Sequence, residues 1–184
     1  MAMPAMAADF QTKEVVKTYA ISGTTGIELY ASIGERGPKV GANAVRTVAH
    51  TVFDLKWSRK YERQGNACKL VSAKPFFTIT YTLPKPASKL PPSVQKRWDA
   101  FIEGIAAHEK VHGAQMKEMV ERILATTVGL TVENDPDCKK IRKEILAPLT
   151  AASQEQRQRS RDFDKSEMSA GGNVQKLVLA LVNG

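Results

Sequence analysis

His108, Glu109 and His112 stand in the order His-Glu-x-x-His. On a helix, residues four apart lie one above the other. Two imidazoles so placed could reach one divalent ion at the roughly 2.0–2.1 Å of a Zn–N bond. Glu109 would lie beside that ion rather than on it, where a carboxylate can serve as general base. The combination suits hydrolysis. A bound zinc ion brings the pKa of a water towards neutrality and polarises a carbonyl. The carboxylate takes the proton from the water and passes it to the leaving group. The competing reading is a buried, hydrogen-bonded cluster without metal.

The surrounding pattern predicts how these residues are held. Trp98, Ile102, Ile105, Glu109, His112, Met116, Met119 and Ile123 follow spacings of four and three, so they form one stripe on a helix. All but Glu109 and His112 are apolar, and such a stripe faces a core. His108 lies on its neighbouring edge. Burying a carboxylate and two imidazoles costs several kcal/mol unless something compensates, and a cation would. The helix is expected from Ser93, a plausible cap after Pro91-Pro92, to about Leu130. His50 stands alone in a predicted strand and reads as a structural or surface histidine. The sequence assigns no oxyanion stabiliser; no pattern singles out Tyr81 or His50 for that role.

Strands are expected first and helices second, an α+β arrangement. A strand is predicted in 15–23, then a short helix capped by Thr24 or Thr25 and stopped at Gly37-Pro38. Val45, Thr47, Ala49, Thr51, Phe53, Leu55 and Trp57 alternate, predicting one long half-buried strand. One or two strands follow, with Phe77, Ile79, Tyr81 and Leu83 on one side. A Pro-rich connection over 84–92 leads from this antiparallel sheet to the helical half. A second helix is expected from Asp135-Pro136 onwards, kinked or broken at Pro148. The apolar end of the chain could dock as a helix or a strand. Residues 10–184 are expected to form one domain.

With 184 residues and a net charge of +8, the basic residues are scattered. No Lys/Arg block stands next to aromatics as a nucleic-acid reader would need, so no specific nucleic-acid partner is expected. No apolar run is long enough to span a membrane. The two cysteines, Cys68 and Cys138, lie in no CxxC unit. They are either two buried thiols or one disulfide. The small-x-small run Ala5-Met6-Ala7 favours the disulfide, because it looks like a signal-peptidase site. Residues 1–9 are accordingly expected to be the remnant of an export signal.

The order of features extends this reading. A "YAISGTTGIEL" stretch, a Gly-Pro after the first helix, a Trp-bearing strand, a Cys, "LPK", a Trp-led helix with "HEKVHG" and a second Cys follow one another. From about Tyr19 to Gly172 the chain resembles the bacterial domain family of formally unknown function described as predicted secreted zinc-dependent proteases. The resemblance implies a zincin-like fold, a Zn²⁺ cofactor, a peptide or protein substrate gripped by strand addition, and a periplasmic or secreted protein, which agrees with a disulfide between Cys68 and Cys138. It also implies a late segment like Tyr-Asp-x-x-Thr-x-His-Gly. Here that stretch reads "FDKSEMSA", with Phe163 at the Tyr, Asp164 kept, Glu167 at the Thr and Ser169 at the His. A catalytic zinc normally has three protein ligands, so the third is expected to be an oxygen: Asp164 first, Glu167 second. The resulting expectation is a zinc-dependent endopeptidase with Glu109 as general base. The alternatives are an inactive zincin-like protein that binds envelope partners, and a basic module for anionic ligands.

Overall fold

The computed structural model describes residues 10–184; Ala5-Met6-Ala7 lies outside the described residues. The chain folds as α+β, in the order β1 (Thr12–Ile21), α1 (Gly26–Arg36), β2 (Lys39–Val40), β3 (Val45–Arg46), β4 (His50–Gln64), β5 (Ala67–Pro86), α2 (Pro92–Thr127), β6 (Thr131–Val132), α3 (Ile141–Glu144), α4 (Leu146–Met168) and α5 (Asn173–Val182).

The main sheet has the order β1-β5-β4, with β6 paired to β5. The turn at Gly65-Asn66 is too short to join β4 and β5 in any but antiparallel sense. β1 behaves differently. Glu14 meets Tyr81, and Ile21 accepts from the amide of Ala87, so numbers rise together along the two strands. β1 and β5 therefore run parallel, and the sheet is mixed rather than wholly antiparallel as expected. The long connection through α1 and β4 returns the chain to the same end, which a parallel pair requires.

Other expectations also need correction. The single strand expected over 45–57 is two: β3 pairs with β2, and β4 begins at His50. The Pro-rich connection is short, because β5 continues through Pro86 and α2 starts at Pro92. The helix expected from Asp135 starts only at Ile141. The Asp135 carboxylate instead accepts from the amides of Lys139, Lys140 and Ile141 at 2.8–2.9 Å, satisfying donors at and just before the start of the helix. The break attributed to Pro148 falls at Ile145, which leaves Pro148 in the first turn of α4, where its missing N–H removes no helical bond.

Chain contacts define two compact units. The first takes residues 10–13, 53–78 and 114–160. Its core joins Cys68, Leu70, Ile141 and Ile145, with Tyr61, Leu130, Val132 and Leu149 packed on it. Cys68 and Cys138 form a disulfide within it, with Cα atoms 5.2 Å apart.

The second unit takes residues 14–52, 79–113 and 161–184. Its core is built from Ile21, Leu29, Ile33, Trp98, Phe101, Ile105, Val174 and Leu181. A capping box starts α1: Thr25 Oγ1 accepts from the amide of Glu28, and Glu28 Oε2 accepts from the amide of Thr25. Gly26 lies so close to the Leu181 carbonyl that a Cβ would fall 1.8 Å from its oxygen. Any side chain there would push the last turn of α5 off α1. His108, Glu109, His112, Thr51, Phe163, Asp164 and Glu167 all belong to this unit.

Candidate metal centre

The stripe on α2 is buried as its spacing requires, except that Ile102 is only partly buried. Trp98, Ile105, Glu109, His112, Met116, Met119 and Ile123 are all buried, and so is His108. α2 is continuous helix with no Pro past its first residue, so His108 and His112 keep their one-turn offset. Their Nε2 atoms lie 3.1 Å apart.

The last two turns of α4 bring the third donor. Asp164 Oδ1 lies 3.1 Å from His108 Nε2 and 2.8 Å from His112 Nε2. The three atoms form a nearly equilateral triangle. Ligands around a tetrahedral zinc ion stand about 3.3 Å from one another when bonds are about 2.05 Å. Two nitrogens and one carboxylate oxygen are also a donor set that zinc accepts. His108, His112 and Asp164 thus fit a divalent ion in both spacing and chemistry. Glu167 is not in the triangle. Its Oε2 stands 3.7 Å from the opposite ring nitrogen, His108 Nδ1. Ser169, the residue aligned with the expected histidine, is exposed and donates to the carbonyl of Lys165.

Phe163 holds the imidazoles from the side. Its ring stacks on His108 at 4.7 Å and 19°, and meets His112 edge-on at 5.5 Å and 77°. Its place one residue before Asp164 lets one helical turn supply both the apolar wall and the oxygen donor.

The Glu109 side chain meets β4, and its charge acts on His108. Thr51 Oγ1 donates to Glu109 Oε2 at 2.5 Å, and both side chains are buried. Thr51 reads in the sequence as one more member of an alternating strand. A hydroxyl on the inward face of an apolar alternation was the available signal. His50, the neighbour of Thr51, is half-buried and close enough to feel the charges of Glu109 and His112. The Tyr81 hydroxyl donates to Glu14 Oε1 at 3.3 Å, and Lys110 lies over its ring and pairs with Glu14.

The electrostatics follow from this crowding. Burial works against a charged His108, but the Asp164 contact and the charges of Glu109, Asp164 and Glu167 outweigh it and hold its pKa above the ordinary 6.5. Burial likewise opposes ionisation of Asp164, yet its contacts with both imidazoles hold the carboxyl well below the usual range. Burial and the nearby His112 push His50 down, against the pull of Glu109.

The match to known proteins is with a bacterial protein family of unknown function (DUF922), over residues 16–172. The chain belongs to that family. No curated protein and no solved structure matches it. The span shared with the family holds all three donors of the triangle, Glu109 and Thr51.

Proposed function

We propose that this member of the family is a zinc-dependent endopeptidase of zincin-like construction, in which Glu109 is the general base. The observation that carries the reading is the triangle of His108 Nε2, His112 Nε2 and Asp164 Oδ1, with spacings of 2.8–3.1 Å, beside a buried carboxylate. Held there, Zn²⁺ would activate a water and polarise the scissile carbonyl.

The chain's own residues account for the remaining tasks. Glu109 would accept the proton from the attacking water and return it to the leaving amine. Thr51 ties up Oε2, which leaves Oε1 as the oxygen that exchanges the proton. Asp164 contributes the one negative charge of the donor set, which would offset half of a dication's charge. Phe163 shields one side of the imidazoles from water.

The Cys68–Cys138 disulfide supports a periplasmic or secreted setting, where such bonds persist. No helix among the described residues is long and apolar enough to cross a membrane. The substrate in this reading is a peptide or protein.

The test is zinc content by elemental analysis together with cleavage of casein and peptide libraries, for the wild type and Glu109→Gln. The expected result is about one zinc per chain in both, with cleavage only by the wild type. Zinc in both and cleavage by neither would point to an inactive binding protein. Absence of zinc from the wild type after incubation with it would overturn the metal centre.

A further inference from the structure

The following inference rests on the metal-centre reading. An imidazole that lends Nε2 to a cation carries its proton on Nδ1. In His108 that nitrogen is buried and has no hydrogen-bond partner among the described residues. The side chain is only 3% exposed, so water does not serve it freely. What faces it is Glu167, with Oε2 at 3.7 Å.

Phe163 and Glu167 are four residues apart on α4, so they stand one above the other on one face. Phe163 lies flat against the His108 ring. Glu167 faces its far nitrogen, and Asp164, from the same two turns, meets its near nitrogen. Three contacts from one helical stretch thus fix the ring's plane and both of its edges.

We propose that Glu167 is a positioning residue for the metal centre: it accepts the Nδ1 proton of His108 and so holds the tautomer that presents Nε2 to a divalent cation, while Phe163 fixes the ring plane. A carboxylate has only acceptors. The tautomer with its proton on Nε2 would set a lone pair against Glu167, whereas the Nδ1–H tautomer turns the same contact attractive. The 3.7 Å separation lies just beyond hydrogen-bond length. A carboxylate behind a metal-bound imidazole also makes it a stronger ligand.

The experiment uses the whole chain. Zinc affinity is measured by chelator competition for the wild type, Glu167→Ala, Glu167→Gln and a charge control, Glu103→Gln, on the exposed side of α2. Visible spectra of the Co²⁺-loaded proteins and unfolding of the metal-free proteins at pH 8 are recorded alongside. Glu167→Ala should weaken zinc binding about 10–100-fold. Glu167→Gln should weaken it less, since its amide oxygen still accepts. The Co²⁺ bands should shift in Glu167→Ala, metal-free unfolding should match the wild type, and Glu103→Gln should bind normally. If the wild type binds zinc and Glu167→Ala and Glu167→Gln both bind it as tightly, the positioning role is wrong while the metal centre stands. If the wild type binds no zinc, the metal centre itself fails. Should Glu167→Ala not fold, the near-isosteric Glu167→Gln decides by the same comparison.

Discussion

Thr51 reaches across 58 residues of chain to donate a 2.5 Å hydrogen bond to Glu109. A proton carrier that can swing loses the geometry that makes transfer fast. Thr51→Val keeps the shape and removes the donor. On the proposed endopeptidase reading, it should retain zinc and KM but lower kcat about tenfold, with Thr51→Ser restoring most of the rate. Unaltered kcat in Thr51→Val would reduce Thr51 to a packing residue.

Metal-free protein should show a characteristic pH profile. The pKa of His108 is raised above 6.5, so its contribution to stability is complete below that value and is lost as pH rises through the folded pKa. Asp164 is shifted below its ordinary 3.8, so its contribution is present above 3.8 and fades as pH falls towards the folded value. Thermal unfolding in EDTA should therefore be highest between those limits. Zinc needs neutral imidazoles, so the extra stability from added zinc should instead grow as pH rises past 6.5. His108→Gln should flatten the alkaline fall in EDTA; a fall of equal size in that variant would contradict the assignment.

The disulfide closes a 70-residue separation. Loop entropy of that size corresponds to about 4 kcal/mol. Cys68→Ser with Cys138→Ser, or reduction under native conditions, should lower the unfolding free energy by that order and move the denaturant midpoint down accordingly. Leu70, Ile141 and Ile145 share the cluster around Cys68, so their region should lose hydrogen-exchange protection first. Uniform loss over the whole chain would show that the crosslink acts globally.

Gly113 follows His112, and a Cβ on it would fall 2.2 Å from the hydroxyl oxygen of Tyr81. Gly113→Ala should cost about 1–3 kcal/mol, as overpacking does. Tyr81→Phe removes the clashing oxygen, so the double variant should recover part of the loss in a denaturation cycle. Strict additivity of the two changes would mean that the helix moves rather than the ring.

The centre was legible in the sequence where it is local. His108, Glu109 and His112 share one helix, and helical spacing alone fixes which side chains meet and that they turn inward. Asp164 entered only through the likeness of "FDKSEMSA" to a known pattern, because nothing in spacing joins residues 52 apart. Thr51 and the Glu167 contact stayed hidden for the same reason. In the fold, the strand and helix periods marked β1, α1, β5 and α2 well. The parallel pairing of β1 and β5 was not visible, because strand direction depends on the route of the connection rather than on the residues in the strand. The delayed start of α3 depends on the Asp135 side chain capturing three amides, a choice between two local bonding schemes of similar worth.

Asp164 arrives on α4 long after α2 has been synthesised. Until then the centre has only its two α2 imidazoles. On the proposed reading, cutting power is then a property of the finished tertiary structure, and a newborn molecule is harmless to itself and its neighbours until α4 has closed. Withdrawing those two turns later would disarm the protein while leaving its most recognisable sequence signature intact.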